Sequence, residues 1–271
     1  MNVKFNYHSR MDEKSSVVAV VGNYKFLKKH LNKFIKELTV NGCYDGEVLV
    51  LTSYLTPTFL LDSFRKYENL TIIRFPNISF SKKIKKRYLD LKPVSNAPNR
   101  FKTKRFQWHK LHLFNSKLKK WKYVLYLDIN FTIHHDINPL LELKPKQLLA
   151  KCDGYPDYEK KLSTQFDNSQ VEFKKLTELY DMNSNKYFQT GLLYYNTEII
   201  KKNTLTEIKY LAEKYPISLT NEQGILNLYF HSQNDMFEEL PEYLGDKIIY
   251  YYWMIKDVDI IITKQLSEQY K

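Results

Sequence analysis

The sequence predicts an α/β fold with a central, mostly parallel sheet flanked by helices. Two patterns carry that prediction. Apolar, β-branched runs at 17–21, 48–51 and 70–75 alternate with helical or turn-bounded segments. This β-α-β-α-β order implies a parallel sheet with right-handed crossovers. The second pattern is Tyr123-Val124-Leu125-Tyr126-Leu127, an unbroken apolar and aromatic run that leads into Asp128 and then Asn130. A run of this kind marks a strand buried on both faces.

Each element has a local reason. After the run at 17–21, Gly22-Asn23 makes a turn. Phe26, Leu27, His30, Leu31, Phe34, Ile35 and Leu38 then recur at helical spacing beneath a lysine-rich outer face. Asp45-Gly46 turns the chain into the second strand, and a helix is predicted over 57–67 before the third. The segment 79–105 is basic, with Lys82, Lys83, Lys85, Lys86, Arg87, Arg100, Lys102, Lys104 and Arg105; it reads as a loop or lid with a short helix over 81–91. A helix over 106–118, with Leu111, Phe114 and Leu118 inward, delivers the chain into the strand that ends at Asp128. Beyond Asn130 the spacing predicts strands near 148–151 and 191–195 and helices over 166–180, 204–214 and 222–230. The stretches 247–253 and 258–262 are β-rich.

The bulk numbers bound the organisation. With 271 residues, 43% of them hydrophobic, the chain can bury one large core; with only 7 Gly and 9 Pro it has no long linker, so 1–271 is taken as one domain. The excess of 42 basic over 30 acidic residues gives a net charge of +12. That balance favours anionic partners such as nucleotides, acidic glycans or a membrane surface, and it also serves solubility. No nucleic-acid-binding module is recognisable, so no specific nucleic acid is expected. Cys43 and Cys152 are too few for a disulfide framework. No apolar leader and no run of about 18 apolar residues is present, which leads to the expectation of a cytoplasmic protein. The richness in Lys, Asn, Ile and Tyr suggests an AT-rich genome, and a viral protein would then act in the host cytoplasm or the virion.

Function is expected where the strands end, because ligands of open α/β sheets bind beyond the carboxyl ends of the strands. Asp128 and Asn130 fall there, and residues i and i+2 of an extended segment point the same way, so both can face one hard cation. A turn or capping role is the plain alternative for each. Asn23 can likewise cap the first helix, with Tyr24 packing on it, or read a nucleobase edge while Tyr24 stacks on the base.

Four stretches, in order, carry a resemblance: Val21-Gly22-Asn23-Tyr24; Tyr126-Leu127-Asp128-Ile129-Asn130; Tyr187-Phe188-Gln189-Thr190-Gly191-Leu192-Leu193-Tyr194-Tyr195-Asn196; and Asn221-Glu222-Gln223-Gly224-Ile225-Leu226-Asn227. Over residues 15 to 255 they resemble the GT-A glycosyltransferases, especially the branch of glycogenin and the bacterial lipopolysaccharide galactosyltransferases. The second stretch is similar to that family's YLDxD, the third to its YFNxGxxxxN and the fourth to its DQxxLN. Asn130 stands where the family has its second aspartate, and the aromatic stretch Ile249-Tyr250-Tyr251-Tyr252-Trp253 lacks the family's C-terminal histidine.

The resemblance implies a nucleotide-binding half at 15–130, an acceptor-side half at 131–271, and transfer of a sugar, from a UDP-sugar in the first instance, to a hydroxyl on a glycan or protein. It implies a divalent cation, Mn²⁺ or Mg²⁺, at Asp128 and Asn130, with His134 and His135 nearby. It places Asn23, Tyr24, Arg105, Lys110, Gln189, Gly191 and Gln223 around the donor, and Asp128 and Glu222 in catalysis. Arg100 and Asp153 are further candidates, and the basic segment 82–105 offers a surface to anions. Two alternatives stand beside this reading: a fold of this type that binds without turning over, and a nucleotidyltransferase.

Overall fold

The computed structural model describes residues 14–92, 98–251 and 259–264. Strand β1 (Lys14–Val21) leads to helix α1 (Tyr24–Val40), β2 (Val48–Ser53), α2 (Thr58–Asp62) and β3 (Leu70–Phe75). Helices α3 (Lys82–Asp90) and α4 (Arg100–Thr103) precede β4 (Trp121–Leu127), β5 (Phe131–Ile133), α5 (Asn138–Leu141) and β6 (Leu148–Cys152). Then come α6 (Val171–Leu179), β7 (Phe188–Asn196), α7 (Thr204–Lys214) and α8 (Glu222–Leu226), and last β8 (Phe237–Glu239), β9 (Tyr243–Leu244), β10 (Lys247–Tyr251) and β11 (Ile260–Lys264).

Seven strands form the central sheet in the order β3-β2-β1-β4-β7-β6-β8. The run from β3 to β4 is parallel, as the sequence order requires; β7 lies antiparallel to both β4 and β6. A second sheet has the order β5-β11-β10-β9, and its edge strand β5 follows the turn at the end of β4. Alternation within the strands explains their unbroken apolar sequence. Val18, Val20, Leu125 and Leu127 pack with Leu27, Leu31, Phe34 and Leu38 of α1, while Val17, Ala19, Val124 and Tyr126 pack into a second core with Trp108, Leu111 and Phe114. Both faces are buried, so neither tolerates polar residues.

Several elements differ from expectation. The segment predicted as a helix over 106–118 is two 3₁₀ stretches, Arg105–Phe114 and Ser116–Lys120. All residues from Trp108 to Phe114 are buried, so the segment has no solvent face and follows the groove it fills rather than an α-helical period. The helix over 57–67 shrinks to α2. The helix over 166–180 begins only at Val171, because the Asp167 side chain accepts from Ser169 N at 3.1 Å and holds a turn. The helix over 222–230 continues past α8 as a π-helical stretch, Asn227–Gln233. Phe26, expected on the inner face of α1, is 49% exposed. Cys43 and Cys152 are both free thiols. Trp253 and Val258 lie outside the described residues.

One core residue makes stability sensitive to acid. His109 is 2% exposed, stacks on Phe106 at 4.6 Å, and has no hydrogen-bond partner for either ring nitrogen among the described residues. Burial first, and then the adjacent His112, push its pKa down to about 4. The unfolded chain takes up this proton near pH 6.5, the folded chain only near pH 4. His109 therefore costs no stability above pH 6.5 and progressively more, up to about 3 kcal/mol, as pH falls to 4. The variant His109→Phe is expected to flatten the melting temperature between pH 6.5 and 4; an unchanged slope refutes this assignment.

Candidate active site

The site is built where the parallel strands end. The Asp128 backbone N–H donates to Gly191 O at 2.8 Å, extending the β4–β7 ladder by one residue. The chain then turns, with Phe131 N donating to Asp128 O at 2.9 Å. The extended i, i+2 relation expected for Asp128 and Asn130 therefore does not hold. A turn carries both, and both still line the cleft beyond β4.

Lys110 comes from the buried 3₁₀ stretch and reaches the same point. Its Nζ lies 2.9 Å from Asp128 Oδ1, 2.9 Å from Thr190 O and 3.5 Å from Glu222 Oε1. The Tyr126 hydroxyl donates to the same Asp128 Oδ1 at 2.5 Å, and burial, reinforced by the Asp128 charge, pushes that hydroxyl well above its ordinary pKa. Thr190 Oγ1 donates to Glu222 Oε1 at 3.1 Å, while Glu222 Oε2 is buried with no partner among the described residues. The Lys110 and Glu222 side chains are 7% and 1% exposed, so this is a buried ion cluster whose ammonium is shared by two carboxylates.

A second polar chain backs the first. Gln223 Oε1 accepts from Thr190 N at 3.2 Å, and its Nε2 donates to Gln165 Oε1 at 2.9 Å and to Asp153 Oδ2 at 3.3 Å. Burial raises the Asp153 carboxyl above its ordinary pKa, against the opposing charges of Lys160 and Arg100. Gln189 Oε1 accepts from the Tyr250 hydroxyl at 3.1 Å. Gly191 has a packing reason to lack a side chain: a Cβ there would lie 2.9 Å from Phe131 Cζ and 3.3 Å from Tyr250 Oη.

The cleft in front of this cluster has a volume of about 540 Å³. It brings together five residues singled out in the sequence: Asn23, Arg105, Lys110, Asp128 and Asn130. Asn23 also caps α1, accepting from Phe26 N at 3.1 Å. Tyr24 is not on the cleft wall; its ring packs edge-on against Phe59 at 6.3 Å. Glu222 and Gln223 stand behind the wall and are linked to it through Lys110 and Thr190.

Sequence reasoning missed Tyr126, Thr190, Gln165 and Asn221. Tyr126 was findable, since it lies on the strand that leads into Asp128, two residues before it. Asn221 has φ 55° and ψ −120°, the first central position of a type II′ turn that usually holds glycine. Its side-chain amide donates to Arg100 O, Lys104 O and Gln107 Oε1, fastening the basic wall of the cleft.

The residues present do not fit a tightly held divalent ion. Asp128 Oδ1 already meets Lys110 and Tyr126, and Asn130 brings no charge. His134 Nε2 bonds to Thr263 Oγ1 at 2.8 Å, and His135 faces Asp259. Among the described residues no group of three or more His, Cys, Asp or Glu is placed to hold a metal.

The architecture is the GT-A glycosyltransferase fold. The galactosyltransferase LgtC, solved with donor and acceptor sugar analogues, is similar at TM-score 0.58 and 12% identity, over 93% of this chain and 87% of that one. The bifunctional glycosyltransferase WbbM matches at TM-score 0.55 and 15% identity over 99% of this chain and 47% of its own. The glycosyltransferase GlyE of Streptococcus pneumoniae TIGR4 matches at 0.51 and 15% over 94% and 55%. The chain thus spans about half the length of WbbM and GlyE. No family model and no curated protein matches the sequence.

Proposed function

We propose that the chain is a glycosyltransferase that moves a sugar from a nucleotide-diphosphate donor, a UDP-sugar in the first instance, to a hydroxyl acceptor on a glycan or protein. The supporting observation is the cleft in which Asn23, Arg105, Lys110, Asp128 and Asn130 meet beyond the ends of the parallel strands. In this reading residues 1–271 work as one domain of the glycogenin and lipopolysaccharide galactosyltransferase type. Strands β6 and β7, from the second half, complete the sheet begun by β1–β4.

The chemistry follows from charge. The bond from the sugar's anomeric carbon to the diphosphate breaks, its electron pair leaves with the diphosphate, and the acceptor oxygen bonds to that carbon. Lys102, Lys104 and Arg105, on one wall of the cleft, offset the developing negative charge. Arg105 can do so bidentately. Asp128, held by Tyr126 and Lys110, orients donor hydroxyls, with Gln189, Gly191 and Gln223 shaping the sugar's side. Glu222 takes part from behind the wall, by fixing the Lys110 ammonium beside Asp128. A divalent ion arriving with the diphosphate would meet Asp128 and Asn130.

Nucleoside diphosphate released from a panel of nucleotide sugars, with and without Mn²⁺, tests the reading. Release from one donor supports it. Binding of a donor with no release from any, in the presence of candidate acceptors, favours the binding protein, and no binding refutes the donor site. In the same assay Asn130→Asp is expected to retain turnover and to gain stimulation by Mn²⁺, because a second carboxylate replaces a neutral oxygen. Loss of turnover in this variant contradicts the role given to Asn130.

A further inference from the structure

The mouth of the cleft has two unlike lips. On one, the chain leaves the buried strand β2 and turns outward at Tyr54 and Leu55, which are 55% and 80% exposed. Helix α2 follows with Leu60 and Leu61 inward but Phe59 outward and 66% exposed. The Tyr24 ring joins Phe59 to the start of α1, where Phe26 lines the cleft itself. Folding does not require Tyr54, Leu55, Phe59 or Phe26 to be apolar, since none of them belongs to either core. A cluster of this kind on a monomer's surface marks an interaction site.

The other lip is cationic. Lys102 and Lys104 line the same cleft as Phe26. Helix α3 continues that surface, because the Tyr88 and Phe101 rings stack at 5.0 Å and Asn99 Nδ2 donates to Tyr88 O at 2.9 Å. Lys82, Lys83 and Lys86 are exposed on α3, and Leu89 is 38% exposed. Arg87, on the same helix, pairs with Glu172.

We propose that this face docks on an anionic lipid bilayer, with Leu55 and Phe59 entering the headgroup layer and the lysines of α3 and α4 facing the lipid phosphates. Charge alone would suit any polyanion. The aliphatic and aromatic lip is what selects lipid, since Leu55 and Phe59 offer nothing to a phosphodiester backbone. Either signal alone gives weak, reversible attachment, and the two together give stable attachment. Docking in this orientation sets the cleft against the membrane surface, where an acceptor hydroxyl borne by a lipid or membrane protein would be within reach. The proposal does not depend on which donor the cleft takes.

The test is sedimentation of the full chain with phosphatidylcholine vesicles and with vesicles that also contain phosphatidylglycerol. Binding is expected to the anionic vesicles only and to weaken as salt rises. Leu55→Ser with Phe59→Ser is expected to lower the partition coefficient at least about tenfold while leaving nucleotide binding unchanged. Replacing Lys82, Lys83 and Lys86 with Gln should lower it as well. A tryptophan substituted at Leu55 supplies an independent readout, a blue shift of emission on anionic vesicles. Failure to bind anionic vesicles, binding that the Leu55→Ser/Phe59→Ser variant leaves unchanged, or unshifted Leu55→Trp emission each overturns the proposal. RNA that displaces the vesicles while binding the double variant equally well would reassign the face to polyanions.

Discussion

Replacing Asp128 with alanine is expected to reduce sugar transfer at least about a thousandfold while the protein stays folded. The large effect on activity comes from the position of Asp128 at the end of β4, where its carboxylate faces the cleft and is oriented by Tyr126 at 2.5 Å and Lys110 at 2.9 Å. The small effect on stability comes from the partners that remain. Lys110 still has Thr190 O and Glu222, so the loss is about 1–3 kcal/mol and a few degrees of melting temperature. Asp128→Asn separates charge from shape, because it keeps an acceptor for Tyr126 and removes the negative charge. Turnover near the wild-type level in the alanine variant would show that the reacting centre lies elsewhere.

The second large effect is on the fold itself. Lys110→Met preserves the bulk of the side chain but strips two carboxylates of their shared cation. Glu222 is 1% exposed and already has one oxygen without a partner among the described residues, so it cannot recruit water cheaply. Breaking a buried pair from one side costs about 3–5 kcal/mol, on the order of 10 °C in melting temperature for a chain of this size. Adding Glu222→Gln removes the stranded charge and is expected to restore much of that loss without restoring activity. A single Lys110→Met variant that melts like the wild type would mean the cluster does not hold the site together.

Much of the fold was legible because the strands are buried on both faces and the helices on one. The periods at 17–51 and the burial of Leu27, Leu31 and Leu38 on α1 agree, and Thr204–Lys214 forms with the expected bounds. The direction of β7 was not legible, since an apolar run carries no sign of parallel or antiparallel pairing. The 3₁₀ stretch Arg105–Phe114 was misread because helical spacing can be found in any densely apolar segment. The cleft's sequence marks were visible at Asp128, Asn130 and Asn23. Lys110 was placed beside the donor through the family resemblance, but its burial was not legible in the sequence. Only the fold reveals that it is buried between carboxylates contributed from 18 residues and from 112 residues further along the chain.

The basic wall of the cleft and the helix behind it are fastened differently, by two asparagines at either end of α8. Asn227 exchanges two hydrogen bonds with the Phe188 backbone, at 2.8 and 2.7 Å, and so rivets α8 to the central sheet. Asn221 grips the basic wall with a single amide and holds a glycine-like backbone conformation as it does so. That strained conformation persists because three acceptors repay it. If the basic wall swings away, the acceptors leave, Asn221 relaxes, and the residue displaced next is Glu222. One side chain thus ties the placement of the basic wall to that of the carboxylate next to it in the chain, which holds the buried ammonium.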